Sequence, residues 1–201
     1  MNALNAVLGL CVVAAPAPAF AQFSFDATTR TCVDAGGHHG LNLGVRGPCG
    51  DLRGLDLEGA NLARLDLRGA RLEGARLKGA SLLATDLRAA SLDNADLTRA
   101  VLTGAKLEHA SLSGARLVGA HLENASLNGA VLSGADLRSA CVYRAGFEGA
   151  NLRGALFSRN RGMLEGARFS RSLISAGTLP FTASELVALE VITEQVELSR
   201  L

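Results

Sequence analysis

The chain has 201 residues, a formal net charge of +1, and only 4% aromatic residues with no tryptophan. That length suits one domain with small appendages, and the near-neutral charge removes any global electrostatic case for nucleic acid or an anionic membrane. Ala and Leu supply the apolar content, so the core must be narrow and regular, because few large side chains exist to fill irregular space.

In chain order, Ala6 to Ala15 is a short apolar run followed by Pro16, Pro18 and Ala19-Phe20-Ala21. It reads as an h-region with an A-x-A cleavage signal, too short to span a bilayer comfortably. Residues 1–21 are therefore expected to be a signal peptide cleaved after Ala21. That makes the chain exported, periplasmic or secreted, with no membrane span after cleavage. The first residues carry no Lys or Arg, so the n-region charge rests on the α-amino group. A lipoprotein signal at Cys11 fits less well, because Leu10 stands where a small residue is required.

Residues 22–49 read as an N-terminal cap segment. Export places Cys32 and Cys49 where disulfides persist, and closing that short loop would contribute about 3 kcal/mol. A Cys32–Cys49 bond is the expectation. Cys141 is then left over, as a free thiol or an intermolecular partner. His38-His39 invites a metal reading, but the spacing matches no standard zinc pattern, and no metal or cofactor is expected.

From residue 50 an internal repeat governs the chain, and a repeat must be read before anything else. With the central apolar residue as position i, the series runs Leu52, Leu57, Leu62 and on every five residues to Phe157. Position i−2 is nearly always Ala, with Gly50, Leu55, Leu65 and Thr85 as exceptions. Residues two apart share one face of an extended segment, so i−2 and i point inward and i−1 points out. A straight strand would turn the next set outward, so each five must bend. Gly at i+2, or Asn94 and Asn124 in the same slot, supplies the permissive backbone. An amphipathic helix fails, because five residues advance it roughly 140° beyond a full turn and scatter the leucines. The reading is an all-β solenoid of very short strands and corners.

Units such as ADLRS at 135–139 and ANLRG at 150–154 resemble the pentapeptide-repeat proteins over residues 50–176. The resemblance implies a right-handed quadrilateral β-helix with four repeats per coil. The repeats to Phe157 would then make about five and a half coils, a rod roughly 26 Å tall. After Phe157 the next central residues are Leu164, Phe169 and Ile174, which implies two residues inserted near 158–161. Residues 177–201 read as a linker and helix. Thr182-Ala183-Ser184-Glu185 is a capping box, and Leu186, Leu189, Ile192 and Val196 make an apolar stripe at helical spacing. The helix would plug the open end of the solenoid or form a homodimer interface there.

Four repeats per coil stack residues twenty apart into outward columns. Asp56, Arg76, Asp96, Arg116 and Asp136 alternate in charge and are expected to pair up and down their face. Asp66 and Asp86 lie beside Arg68 and Arg88 on another face. A third column carries Leu83, Val101, His121, Cys141 and Tyr143, with Glu123 as its one charge, and is the candidate partner face. No nucleophile–base arrangement stands out and the surface is convex, so no enzyme is expected. Two functions compete: a non-catalytic exported scaffold or protein-binding module, monomeric or homodimeric, and a DNA-mimicking topoisomerase binder like the quinolone-resistance members of the family. Mimicry needs one sign of charge along the rod, and the columns are mixed.

Overall fold

The computed structural model describes residues 23–26, 31–34, 39–42, 52–158, 161–175, 178–179, 182 and 192–193. Near the N-terminus, β1 (Phe23–Asp26), β2 (Thr31–Asp34) and β3 (His39–Asn42) form an antiparallel sheet in that order. Cys32 lies in β2, while Cys49 falls outside the described residues.

From Leu52 the chain is a β-solenoid. Each repeat contributes one parallel bridge at i−1, and partners lie twenty residues apart, as in Asp56↔Arg76↔Asp96↔Arg116. Four repeats per rung give four flat faces: A centred on Leu52, B on Leu57, C on Leu62 and D on Leu67. The short strands β4 (Asp136–Leu137) and β6 (Leu156–Phe157) pair on face B, and β5 (Asn151–Leu152) pairs with β7 (Leu173–Ile174) on face A. Beyond Phe157 the partner separation becomes 22, with Gly146↔Arg168 and Asn151↔Leu173. A 3-10 turn, Arg161–Leu164, leads into the resumed stack. The series then reaches Leu179, five residues after Ile174 and also buried.

The hydrogen bonds show why a period of five is stable. The N–H of i−1 donates to the coil below (Arg76 to the Leu55 carbonyl, 2.9 Å). Those of i and i+2 donate to the coil above (Leu57 to Arg76, 2.7 Å; Gly59 to Lys78, 2.9 Å). The next i−2 closes the corner (Ala60 to Leu57, 3.0 Å). Every corner residue at i+2 from Gly54 to Gly154 has φ between +53° and +69°, in the left-handed region. Nine such sites, including Ala84, Ala89 and Arg99, are not glycine.

Inside, Leu at i and Ala at i−2 are almost wholly shielded through the middle coils. The ends are built differently. In the first coil, Leu55 and Leu65 replace Ala at i−2 and pack against the bottom of the core. Their larger side chains stretch the corner bonds to 3.3 Å (Leu55 to Leu52) and 3.4 Å (Leu65 to Leu62). Thr85, one rung above Leu65, is fully buried and donates its hydroxyl to the same Leu62 carbonyl at 2.7 Å. At the other end, Phe147 and Phe169 stack with centroids 5.1 Å apart and Phe157 meets both edge-on.

The expected helix over 182 to about 199 is corrected at Ile192. Ile192–Thr193 is a strand, β8, pairing parallel with β7. Val191, Ile192 and Thr193 are consecutive β-branched residues, which favour a strand, and the exposed edge of β7 offers the ladder to join. No α-helix occurs among the described residues. Leu186, Leu189 and Val196 lie outside them.

Candidate functional site

With four of every five N–H groups committed to the ladder and corner, only the i+1 N–H lacks a backbone acceptor. Side chains at i−1 answer this need. Asp56, Asn61, Asp66, Asp86, Asp96, Asp136 and Asn151 each accept the N–H two residues on, at 3.0–3.3 Å. This is the physical reason for Asp or Asn at that slot. Asp93 and Asn128 do the same job from one rung below, for Ser113 and Glu148.

Three of these aspartates also grip an arginine two residues on. Asp66, Asp86 and Asp136 take Nε and Nη2 of Arg68, Arg88 and Arg138 at 2.6–2.9 Å, a bidentate fork. The guanidinium bonds hold all three carboxyls below the ordinary aspartate range. Asp-Leu-Arg in sequence was the available signal. It also revises the alternating column on face B. Arg76 does bridge rungs to Asp56 at 3.2 Å, but Asp136 spends its carboxylate on Arg138 within its own repeat. Arg116 reaches Asp96 and Asp136 only as a field that favours their ionised forms.

Face C brings the candidate residues together. Asn61, Ser81, Val101, His121 and Cys141 form one continuous bridge ladder. Leu83 and Tyr143 belong to the adjoining i+1 column, and Leu83 is 38% exposed. Glu123 organises the centre: it accepts the Thr103 hydroxyl at 3.0 Å and lies 3.2 Å from His121 Nδ1. Burial opposes its ionisation, yet its own N–H, His121, Cys141 and Thr103 together bring its carboxyl below the usual range. This carboxylate at the centre of the face is thereby satisfied internally. Beside it, burial pushes the Cys141 thiol up; the Tyr143 N–H opposes this and Glu123 reinforces it. The Arg144 guanidinium covers the Tyr143 ring at 4.9 Å. A thiol held in its neutral form is a weaker nucleophile than a thiolate. Among the described residues no group of three His, Cys, Asp or Glu side chains is placed to hold a metal ion, and no helix is long and apolar enough to cross a membrane.

Among solved structures, the chain is similar to HetL, a pentapeptide repeat protein involved in heterocyst differentiation regulation in Nostoc sp. strain PCC 7120. Identity is 27% over 64% of this chain and 73% of that one, with a TM-score of 0.40. It is 31% identical to the pentapeptide repeat protein Rfr23 of the cyanobacterium Cyanothece 51142, over 66% of this chain and 92% of that one, with a TM-score of 0.42. Full-length QnrB1, a plasmid-mediated fluoroquinolone resistance protein, is 18% identical over 75% of this chain and 94% of that one, with a TM-score of 0.35. No curated protein matches the chain. The pentapeptide-repeat family profile matches in eight copies over residues 51–83, 80–117 and 115–159. This covers more than half of the chain and coincides with the solenoid, so the chain belongs to the pentapeptide-repeat family.

Proposed function

We propose that the chain is a non-catalytic, exported protein-binding scaffold that presents face C to another protein. The observation that carries this reading is the chemistry of that face. Exposed Leu83 stands with Val101, His121, Cys141 and Tyr143 on a rigid ladder, and the single carboxylate among them is already paired. A partner therefore meets apolar and aromatic surface with little charge to desolvate, the pattern that favours protein contact. The rigid backbone limits the ordering cost of association.

Export rests on the signal-like residues 1–21 and keeps periplasmic or secreted placement as part of the proposal. Cell fractionation with N-terminal sequencing tests it: a chain starting at Gln22 outside the cytoplasm is expected, and one keeping Met1 inside it sinks the export reading. For the face, Leu83→Glu and Tyr143→Glu should each reduce a cross-linked partner at least tenfold while the far-UV signal stays unchanged. Undiminished cross-linking in both variants removes face C from the proposal.

The DNA-mimic reading is weaker. The Asp–Arg forks cancel the negative charge of faces B and D locally, leaving no stripe of one sign to imitate phosphates. Inhibition of DNA gyrase supercoiling by the mature chain would restore that reading.

A further inference from the structure

Four arginines stand at corners in the left-handed region: Arg64, Arg99, Arg144 and Arg171, with φ between +55° and +60°. Long side chains rarely adopt that conformation, which glycine takes freely. Local pairing does not account for them, since all four are exposed and none makes an ion pair among the described residues. Their placement is selective. Arg64 and Arg144 lie on the C–D edge and Arg99 on the B–C edge, so three of the four border face C. The other described corners on those two edges are Gly, Ala84, Asn124 and Ser139, so the edge charge has one sign. Between the edges lie Leu83, Val101 and Tyr143, with Glu123 already engaged by Thr103 and His121. Glu165, at the upper end, is the other carboxylate of the face. Two of the arginines are also held in place. A Cβ added at Gly119 or Gly166 would come within 3.5 and 3.0 Å of Cγ of Arg99 and Arg144, so those stems lie along the edge over the glycine one rung above. The Arg144 guanidinium rests on the Tyr143 ring at 4.9 Å, a contact that engages no carboxylate.

We propose that face C takes an acidic protein segment, whose apolar side chains meet Leu83, Val101 and Tyr143 and whose carboxylates are received by the arginine rim. This rests on the reading of face C as the binding surface and adds the chemistry of what it binds. An apolar centre inside a charged rim is the usual anatomy of a protein–protein contact. Arginine offers a planar fork that matches a carboxylate. Arg64 and Arg144 stand four rungs apart, about 19 Å at the usual strand spacing, so an extended segment of about six residues along the rod reaches both. A nucleic-acid duplex presents phosphate at every step and would need basic groups across the face rather than at its edges.

The test uses the full chain and a fluorescent random glutamate–tyrosine copolymer as the probe, with binding read by anisotropy. Arg64→Gly, Arg99→Gly and Arg144→Gly each remove a charge at a corner where glycine is relaxed, and urea midpoints check that the coil is kept. Each should weaken copolymer binding about threefold, and the triple variant about thirtyfold. Raising salt should weaken the wild type and leave the triple variant nearly unchanged. Arg171→Gly, the same change on the D–A edge, should leave binding as it is, while Leu83→Gln should weaken it with no change of charge. A wild type that does not bind, or a triple variant that binds equally well, overturns the acidic partner; the face C reading survives that result if Leu83→Gln still reduces the cross-linked partner. Arginine effects with no effect of Leu83→Gln overturn the contact with face C itself. An equal loss in Arg171→Gly overturns the rim as a site and leaves net charge as the cause. Equal binding of duplex DNA or of phosphatidylglycerol vesicles overturns the assignment to protein.

Discussion

Replacing Thr85 by alanine restores the majority residue at i−2, yet it is expected to destabilise the solenoid by about 2 kcal/mol. Leu65 fills the i−2 slot one rung below and stretches its corner bond to the Leu62 carbonyl to 3.4 Å, outside the normal range. The Thr85 hydroxyl compensates at 2.7 Å from a fully buried position. Its removal forfeits a hydrogen bond worth about 1 kcal/mol net, and loss of the buried methyl adds about 0.8 kcal/mol. Thr85→Val keeps the bulk and loses only the bond, so about 1 kcal/mol is expected there. In a Leu65→Ala background the corner can close at 3.0 Å, as at Ala60, and the cost of Thr85→Ala should fall by about 0.5–1 kcal/mol. Urea unfolding followed by far-UV circular dichroism gives the midpoints, compared at constant slope. A Thr85→Ala chain as stable as the wild type, or one whose loss is the same in both backgrounds, refutes the compensation argument.

Corner residues give a second expectation. Ala89→Gly should stabilise the chain by roughly 0.5–1 kcal/mol, read as a higher urea midpoint, because φ is +56° there and the side chain is strained; a lower midpoint would contradict it. At the forks, Asp86→Ala should cost more than Asp86→Asn, since asparagine keeps an oxygen for the Arg88 N–H while losing the guanidinium pair. Equal midpoints for the two variants would show that the cap contributes nothing. Acid should act through the same carboxylates. The folded-state pKa of Asp66, Asp86 and Asp136 is depressed, so their stabilisation is present above the ordinary aspartate pKa and lost as pH falls through the depressed one. A triple Asn variant should therefore show a flatter stability profile below about pH 4, and identical profiles would exclude these groups as the source.

The period of five made the architecture legible because it leaves few physical solutions. Residues two apart must share a face, and a corner must follow within five. Gly or Asn at i+2 names that corner, although the structure also places Ala84, Arg99 and His109 there at positive φ. Those sites show that the ladder around a corner can impose a conformation which sequence propensity disfavours. The C-terminus misled for the reverse reason. Leu186, Leu189, Ile192 and Val196 fall at helical spacing, but that spacing does not exclude strand, and Ile192-Thr193 meets an open edge at β7. Here an available partner outweighed the local pattern.

The candidate site was legible as a column and not as a chemistry. A step of twenty aligns Val101, His121 and Cys141 from sequence alone. What it could not supply is the choice each side chain makes between the neighbour above and the one two residues on. Asp136 takes Arg138 rather than Arg116, and Glu123 draws in Thr103 from below and His121 from beside it. Those choices decide which charges remain for a partner. On faces B and D, Asp56, Asp66, Asp86 and Asp136 serve the fold twice, capping an N–H and holding an arginine. On face C above Asn61, the i−1 positions Ser81, Val101, His121 and Cys141 include no Asp or Asn to serve it. Residues there are free of the demand that places Asp or Asn at i−1 on faces B and D, so the proposed binding surface can be carried on face C without weakening the coil.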